Sequence, residues 1–334
     1  MGVFWQTLYF LYKRWKKHGV DPKPGVIFPR YEAPEGFSAA ECAYLANSGS
    51  PTDTMFGAEI INLAMKGYLK MEVDKAGLIF KHNKYTFTKT TPKKEEKSLN
   101  DIEKHFYERF FKTSEMITIE KGVYNPGVKT TKDKLISKVD SKQDNVYFVR
   151  NKKLTGRPFL FTLIIGVLGL ITYNVYGGAF PIIIIAVVLS IIINTLFIKW
   201  IEQPTRLGRE KMDEIEGFRM YMKYADKERI KLMNPPTMSF THFEENLPYA
   251  IALGVAEEWA GKFDPKEIEQ GMMLMMPYYT GANFANLSSI GDDLATTISS
   301  AAVPPSKSGG GSGGFSGGGG FSGGGFGGGG GGGW

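Results

Sequence analysis

The chain has 334 residues, with 40 Lys and Arg against 34 Asp and Glu, a formal net charge of +6, and 41 glycines. That length admits two modest domains plus membrane segments and a tail. A single cysteine, Cys42, excludes an internal disulfide and a cysteine-rich zinc site. Its place in SAAECAYL reads as a small buried residue in reducing surroundings.

The chain opens with an apolar run from Val3 to Tyr12, followed by Lys13, Arg14, Lys16 and Lys17. Ten residues make roughly 15 Å of helix, half a bilayer. The charges follow the apolar run and no small-residue cleavage site appears, unlike a signal peptide. Two readings stay open for residues 1–18. One is the end of a longer transmembrane helix. The other is an interfacial helix with Trp5, Tyr9 and Tyr12 on one face and Trp15 at the basic edge. A Pro/Gly-rich linker, 19–36, follows, because each Pro pushes its predecessor away from helix.

Residues 37–121 read as a winged-helix-like domain. Ser38 and Glu41 form a capping box that opens a helix. In the next predicted helix Phe56, Ile60, Leu63 and Ala64 make an apolar stripe, and Gly67 sits where a C-terminal cap favours glycine. Two or three strands turn near Asp74–Gly77. Ser98 opens a helix with Leu99, Ile102, Phe106 and Phe110 on one side. Such domains often read DNA, but the candidate recognition helix carries Asp53, Glu59 and only Lys66, where a groove-reading helix needs Arg, Lys, Asn or Gln. The positive charge lies instead between Lys66 and Lys97, with nine Lys against four acids. A basic wing near a bilayer faces headgroups or a protein partner.

A charged helical connector, 122–157, leads to the strongest signal. Between Arg157 and Lys199 there are 41 residues without Asp, Glu, Lys, Arg or His. As one helix this run would be roughly 60 Å long, about twice a hydrocarbon core. Gly177, Gly178 and Pro181 punctuate its middle, so residues 158–200 read as a transmembrane hairpin, Phe159–Tyr176 and Phe180–Trp200. Basic flanks at Arg150, Lys152, Lys153 and Arg157, and at Lys199, Arg206, Arg209 and Lys211, put both ends in the cytoplasm.

Residues 201–300 read as a helical cytoplasmic domain. Met212, Ile215, Phe218, Tyr221, Met222 and Ala225 form one apolar helix side, which Pro235 and Pro236 stop. Thr241 and Glu244 suit a cap, and Pro248 suits the first turn of a further helix. There Ala250, Ile251, Val255 and Trp259 share a face that packs on the preceding helix, while Glu257 and Lys262 stay wet. The run GMMLMMPYY, 271–279, reads as adaptable packing or a docking groove, not a metal box. Residues 301–334 form a glycine-rich tail carrying Phe315, Phe321, Phe326 and Trp334; such a segment stays disordered.

Together these segments describe an α-helical membrane protein with α+β cytoplasmic parts. The order WKKHGVDPKPGVIFPRYEAPEGFSAAECAYL, EIINLAMKGYLKM, the apolar run, EGFRMYMKYADKERI, LPYAIALGVAEEWAGKF and the Phe-Ser-Gly tail resembles the C-terminal part of the YciQ-like family of predicted bacterial membrane proteins, whose common domain has no assigned function. The resemblance implies a bacterial cytoplasmic membrane location. It also implies an upstream signal peptide, ectodomain and complete transmembrane helix that this sequence does not include, so the chain is either a fragment or a shortened member.

No catalytic, cofactor-binding or metal-ligating residue stands out. His242 with Glu245 lacks the second His of a metalloprotease helix, and His18, His82 and His105 are scattered. The uncharged spans do not suggest a transporter. The expectation is a non-enzymatic scaffold or signalling adaptor, multi-pass and mostly cytoplasmic. Its expected partners are the bilayer, anionic headgroups and a protein. A membrane-tethered DNA-binding regulator is the alternative, and a subunit of a transporter or membrane enzyme is less favoured.

Overall fold

The computed structural model describes the chain except residues 1, 77–81, 92–97, 152–165, 167–179, 225–237, 276–278, 281–286 and 306–334, and it describes the backbone but not the side chains of 2–8, 180–183, 186, 272–275, 279–280 and 287–289. In chain order the elements are α1 Gly2–His18, α2 Ala39–Ala46, α3 Thr54–Met65, β1 Leu69–Ala76, β2 His82–Lys89, α4 Asp101–Phe110, β3 Met116–Glu120, α5 Pro126–Gln143 and β4 Phe148–Val149. They continue as α6 Phe180–Trp200, β5 Gln203–Pro204, α7 Arg206–Tyr224, α8 Phe240–Ala252, α9 Ala256–Ala260, α10 Pro265–Met275, β6 Tyr279–Thr280 and α11 Leu287–Ala301. Met1–Pro304 is one compact unit, and Pro305–Trp334 is a separate one.

The local signals explain the helix starts. Ser38 Oγ accepts from the Glu41 amide while the Glu41 carboxylate accepts from the Ser38 amide, the expected capping box. Gly67, at φ +79°, ends the α3 turn in the left-handed region. The start of α4 differs from expectation. Asn100, not Ser98, is the N-cap, and it forms its own capping box with Glu103. The start of α8 also differs: Ser239 caps it, and Pro248 lies inside it instead of opening a second helix. The connector segment does contain a helix, α5, which buries Val128, Leu135 and Val139.

The winged-helix-like reading is corrected. Every residue of α3 from Met55 to Met65 is buried, with α2, α8 and α11 packed around it. A stripe was expected; the segment MFGAEIINLAM is apolar nearly all round, the pattern of a central helix. The wing hairpin β1–β2 sits in a four-stranded sheet of order β3-β2-β1-β6. Antiparallel pairing sets Met71 opposite Phe87 and Val73 opposite Tyr85, and β6 joins β1 in parallel.

The separation into two cytoplasmic parts is corrected with it. β6 and α11 come from the second half yet complete the sheet and core of the first. Thr54 Oγ1 donates to the Ala252 carbonyl at 3.2 Å, and the Asn125 amide to the Ala301 carbonyl at 2.8 Å. One hydrophobic cluster runs from Phe37 through Phe56, Phe87 and Phe106 to Phe218, Trp259 and Leu294.

The transmembrane hairpin, and with it the fold class expected from the sequence, is corrected as well. Among the described residues no helix is long and apolar enough to cross a membrane. The first limb and the turn lie outside the described residues apart from helical Gly166. The second limb is α6. Part of its apolar surface is covered by protein: Phe197 and Ile201 pack with Leu11 of α1, and Asn194 is buried. The glycine-rich tail from Ser306 and the stop at Pro235 and Pro236 also fall outside the described residues.

Candidate functional site

Asn151, just after β4, builds a junction. Asn151 adopts φ +49°, a left-handed conformation that Asn tolerates better than most side chains. Its amide donates twice, to the His18 carbonyl at 2.8 Å and to the Ile201 carbonyl at 3.0 Å. The last carbonyls of a helix lack intrahelical partners. One side chain therefore caps the chain ends of both α1 and α6 and ties them to the folded body. Gly19 packs against the Trp200 carbonyl, so both helices arrive with their C-termini together.

Away from this junction, both helices expose apolar residues. Tyr9, Phe10 and Tyr12 on α1 are exposed, as are Ile185, Val188, Ile192 and Trp200 on α6. Arg14 lies over the Phe10 ring, 4.2 Å from its centroid. Lys16, Lys17 and His18 close α1, and Lys199 closes α6, where cations complement the helix dipole.

Beneath the junction lies a cavity of about 1,100 Å³. Its walls come from α1 (Leu11, Tyr12, Trp15), from α6 (Ile193, Phe197, Trp200), and from the body (Tyr44, Ile136, Phe148). At its polar end the Arg150 guanidinium pairs with Asp140 and donates to Tyr44 Oη at 2.5 Å, and Tyr44 donates to Asp140 at 2.5 Å. Burial pushes the Tyr44 phenol up, against the pull of Arg150. Asp21, Lys199 and Glu202 line the same space. Burial raises the Asp21 carboxyl, and the Arg209 charge opposes the rise.

Two basic-flank residues have other duties. Arg150 is held by Asp140, and Arg209 by Asp213. Asn151 carries one weak sequence signal, an Asn just ahead of a basic segment that leads into the apolar run.

The core holds a second polar cluster. Glu59 Oε1 accepts the Ala40 amide at 3.0 Å near the start of α2. Burial, then the neighbouring Glu103 charge, push its carboxyl up from 4.5 to about 7. Glu103 accepts from Asn62 at 2.7 Å and pairs with Lys66 at 2.7 Å, and Glu41 pairs with Lys142 at 2.7 Å. Cys42 is fully buried beside them, and burial raises its thiol well above the ordinary range.

The other singled-out residues do not converge. His82 meets Glu120 at 3.0 Å. His242 meets Tyr221 Oη at 3.0 Å. His105 lies on α4, and burial lowers its pKa. Among the described residues no three His, Cys, Asp or Glu are grouped to hold a metal ion. Lys262, expected in water, donates to the Tyr221 carbonyl and lies near the Tyr221 and Trp259 rings, and burial pushes its pKa down to about 8.

An α+β body capped onto two apolar helices defines the class. The chain belongs to the family described as predicted membrane protein (DUF2207), C-terminal domain, whose model matches residues 28–263. It is a membrane protein on that ground. No curated protein and no solved structure matches it. The matched stretch ends before α10, β6 and α11, although α11 fills the core against α3.

Proposed function

We propose that the protein is a membrane-attached scaffold or signalling adaptor whose single body hangs from the bilayer by α1 and α6. The observation that carries this is Asn151, which binds the ends of both helices to the body. The exposed apolar residues of α1 and α6 are the surface that lipid covers, and the basic residues at the helix ends meet anionic headgroups. The basic ends favour a cytoplasmic body. The finer assignment to the YciQ-like group and to the bacterial cytoplasmic membrane rests on the sequence resemblance. The burial of α3 speaks against a DNA-reading role.

Three measurements test this reading. Vesicles with anionic lipid should carry the full chain upward in a flotation gradient. Asn151→Leu should leave them bound but release the body to added protease, because both helix ends lose their cap. Proximity labelling from the body in intact cells should return a reproducible set of cytoplasmic proteins. Labelling no different from a lipid-anchored control would refute the adaptor role.

A further inference from the structure

The cavity beneath the junction is larger than the usual small-molecule pocket of about 300–1,000 Å³. Three of its wall residues, Tyr12, Trp15 and Trp200, are also exposed on the outer surface of α1 and α6. The cavity is therefore continuous with the surface that lipid covers. Aromatic side chains with a polar tip suit that boundary.

The charges that line the cavity differ in their commitments. Arg150 is held by Asp140 and Tyr44. Asp21, Glu202 and Lys199 make no ion pair within 4.0 Å among the described residues. Two carboxylates and one ammonium without an ion pair, Asp21 and Lys199 exposed and Glu202 half-buried, line a mostly apolar space. The complementary ligand has an apolar chain, a cationic amine for the carboxylates and an anionic phosphate for Lys199. A primary ammonium suits carboxylates better than a quaternary one, because it donates hydrogen bonds to them.

We infer that this cavity is a binding site for a phospholipid with a primary amine head, of the phosphatidylethanolamine class. Its tail lies between α1 and α6, and its head meets Asp21, Glu202 and Lys199. The site goes beyond the scaffold role and is read out separately from it: flotation reports attachment, and retained lipid reports this site.

The test uses the full chain, stripped of lipid in detergent and offered equal phosphatidylethanolamine, phosphatidylcholine and phosphatidylglycerol. Native mass spectrometry counts what stays bound. The wild type should retain phosphatidylethanolamine about tenfold over either competitor, equivalent to about 1.4 kcal/mol. The double variant Asp21→Asn, Glu202→Gln should hold phosphatidylethanolamine and phosphatidylcholine equally. Ile136→Trp, which fills the cavity from α5, should lose all three. Thermal unfolding with each lipid supplies an independent reading, since a ligand of the fold raises the melting temperature. Equal retention of the three lipids by the wild type, a preference for phosphatidylglycerol, or an unchanged preference in the double variant would each overturn the assignment.

Discussion

At the residue scale, Glu59 shows how a core can hold a carboxyl without a salt bridge of its own. A carboxyl pushed up to about 7 by burial binds its proton more firmly in the fold than in the unfolded chain, where 4.5 applies. The contribution of Glu59 to stability is therefore complete below about pH 4.5. That contribution is lost as pH rises toward and through 7. Glu59→Gln keeps an oxygen for the Ala40 amide and carries no charge. It should match the wild type in acid and exceed it at pH 8 by on the order of 3 kcal/mol. Chemical denaturation at several pH values measures the difference. A constant offset across pH would place the proton elsewhere. Neither this burial nor the Asn151 cap was legible beforehand, because periodicity reports which face is apolar and not what closes around a polar residue on it.

At the element scale, Trp259 on α9 ties together α7 and α8. Trp259 is fully buried, its indole N–H donates to the Phe243 carbonyl at 3.3 Å, and its ring meets Tyr221 at 5.6 Å and Phe263 at 4.9 Å. The Pro-rich linker lies against α7 as well. The Arg30 amide donates to the Gly217 carbonyl at 3.1 Å, and a Cβ at Gly217 would collide with the Phe28 carbonyl. Trp259→Ala should cost about 3–5 kcal/mol and make the body protease-sensitive, while deletion from Ser306 onward should not. Denaturation midpoints and limited proteolysis in membranes give the answer. An intact body in Trp259→Ala would mean that the indole contributes little to the core.

The burial of Trp259 against α7 was readable from the apolar run it lies in, although the single helix expected there is broken at Gly254 into α8 and α9. The capping box at Ser38 was readable for the same reason: its parts are close in sequence. Two elements were not. β3 is short and half exposed. α11, LSSIGDDLATTISSA, is rich in Ser, Thr, Gly and Asp, which favour caps and turns over helix interiors. It is held by its neighbours: Leu294 and Ile298 are fully buried, Tyr85 Oη donates to Asp293 at 2.5 Å, and Lys132 donates to Ser299 at 3.1 Å. Propensity is a weak prior where tertiary contacts decide.

At the scale of the whole molecule, the sequence divides where the structure does not. A long uncharged run suggests a partition with a domain on each side. The fold instead brings described residues of 37–149 and 203–301 into one core, and the C-terminal end of α6 leads straight into it. Stability is then shared, and damage in the late part should spread to the early part.

The most direct test of the shared core is amide hydrogen exchange on the full chain in membranes, comparing the wild type with Leu294→Ala. Leu294 lies on α11, outside the family-matched stretch, and is fully buried against the side of α3 at Gly57. Its truncation should cost about 2–5 kcal/mol. A shared core requires faster exchange in α3 and in β1–β2 as well as in α11. Faster exchange confined to α11, with α3 and β1–β2 as protected as in the wild type, would contradict it.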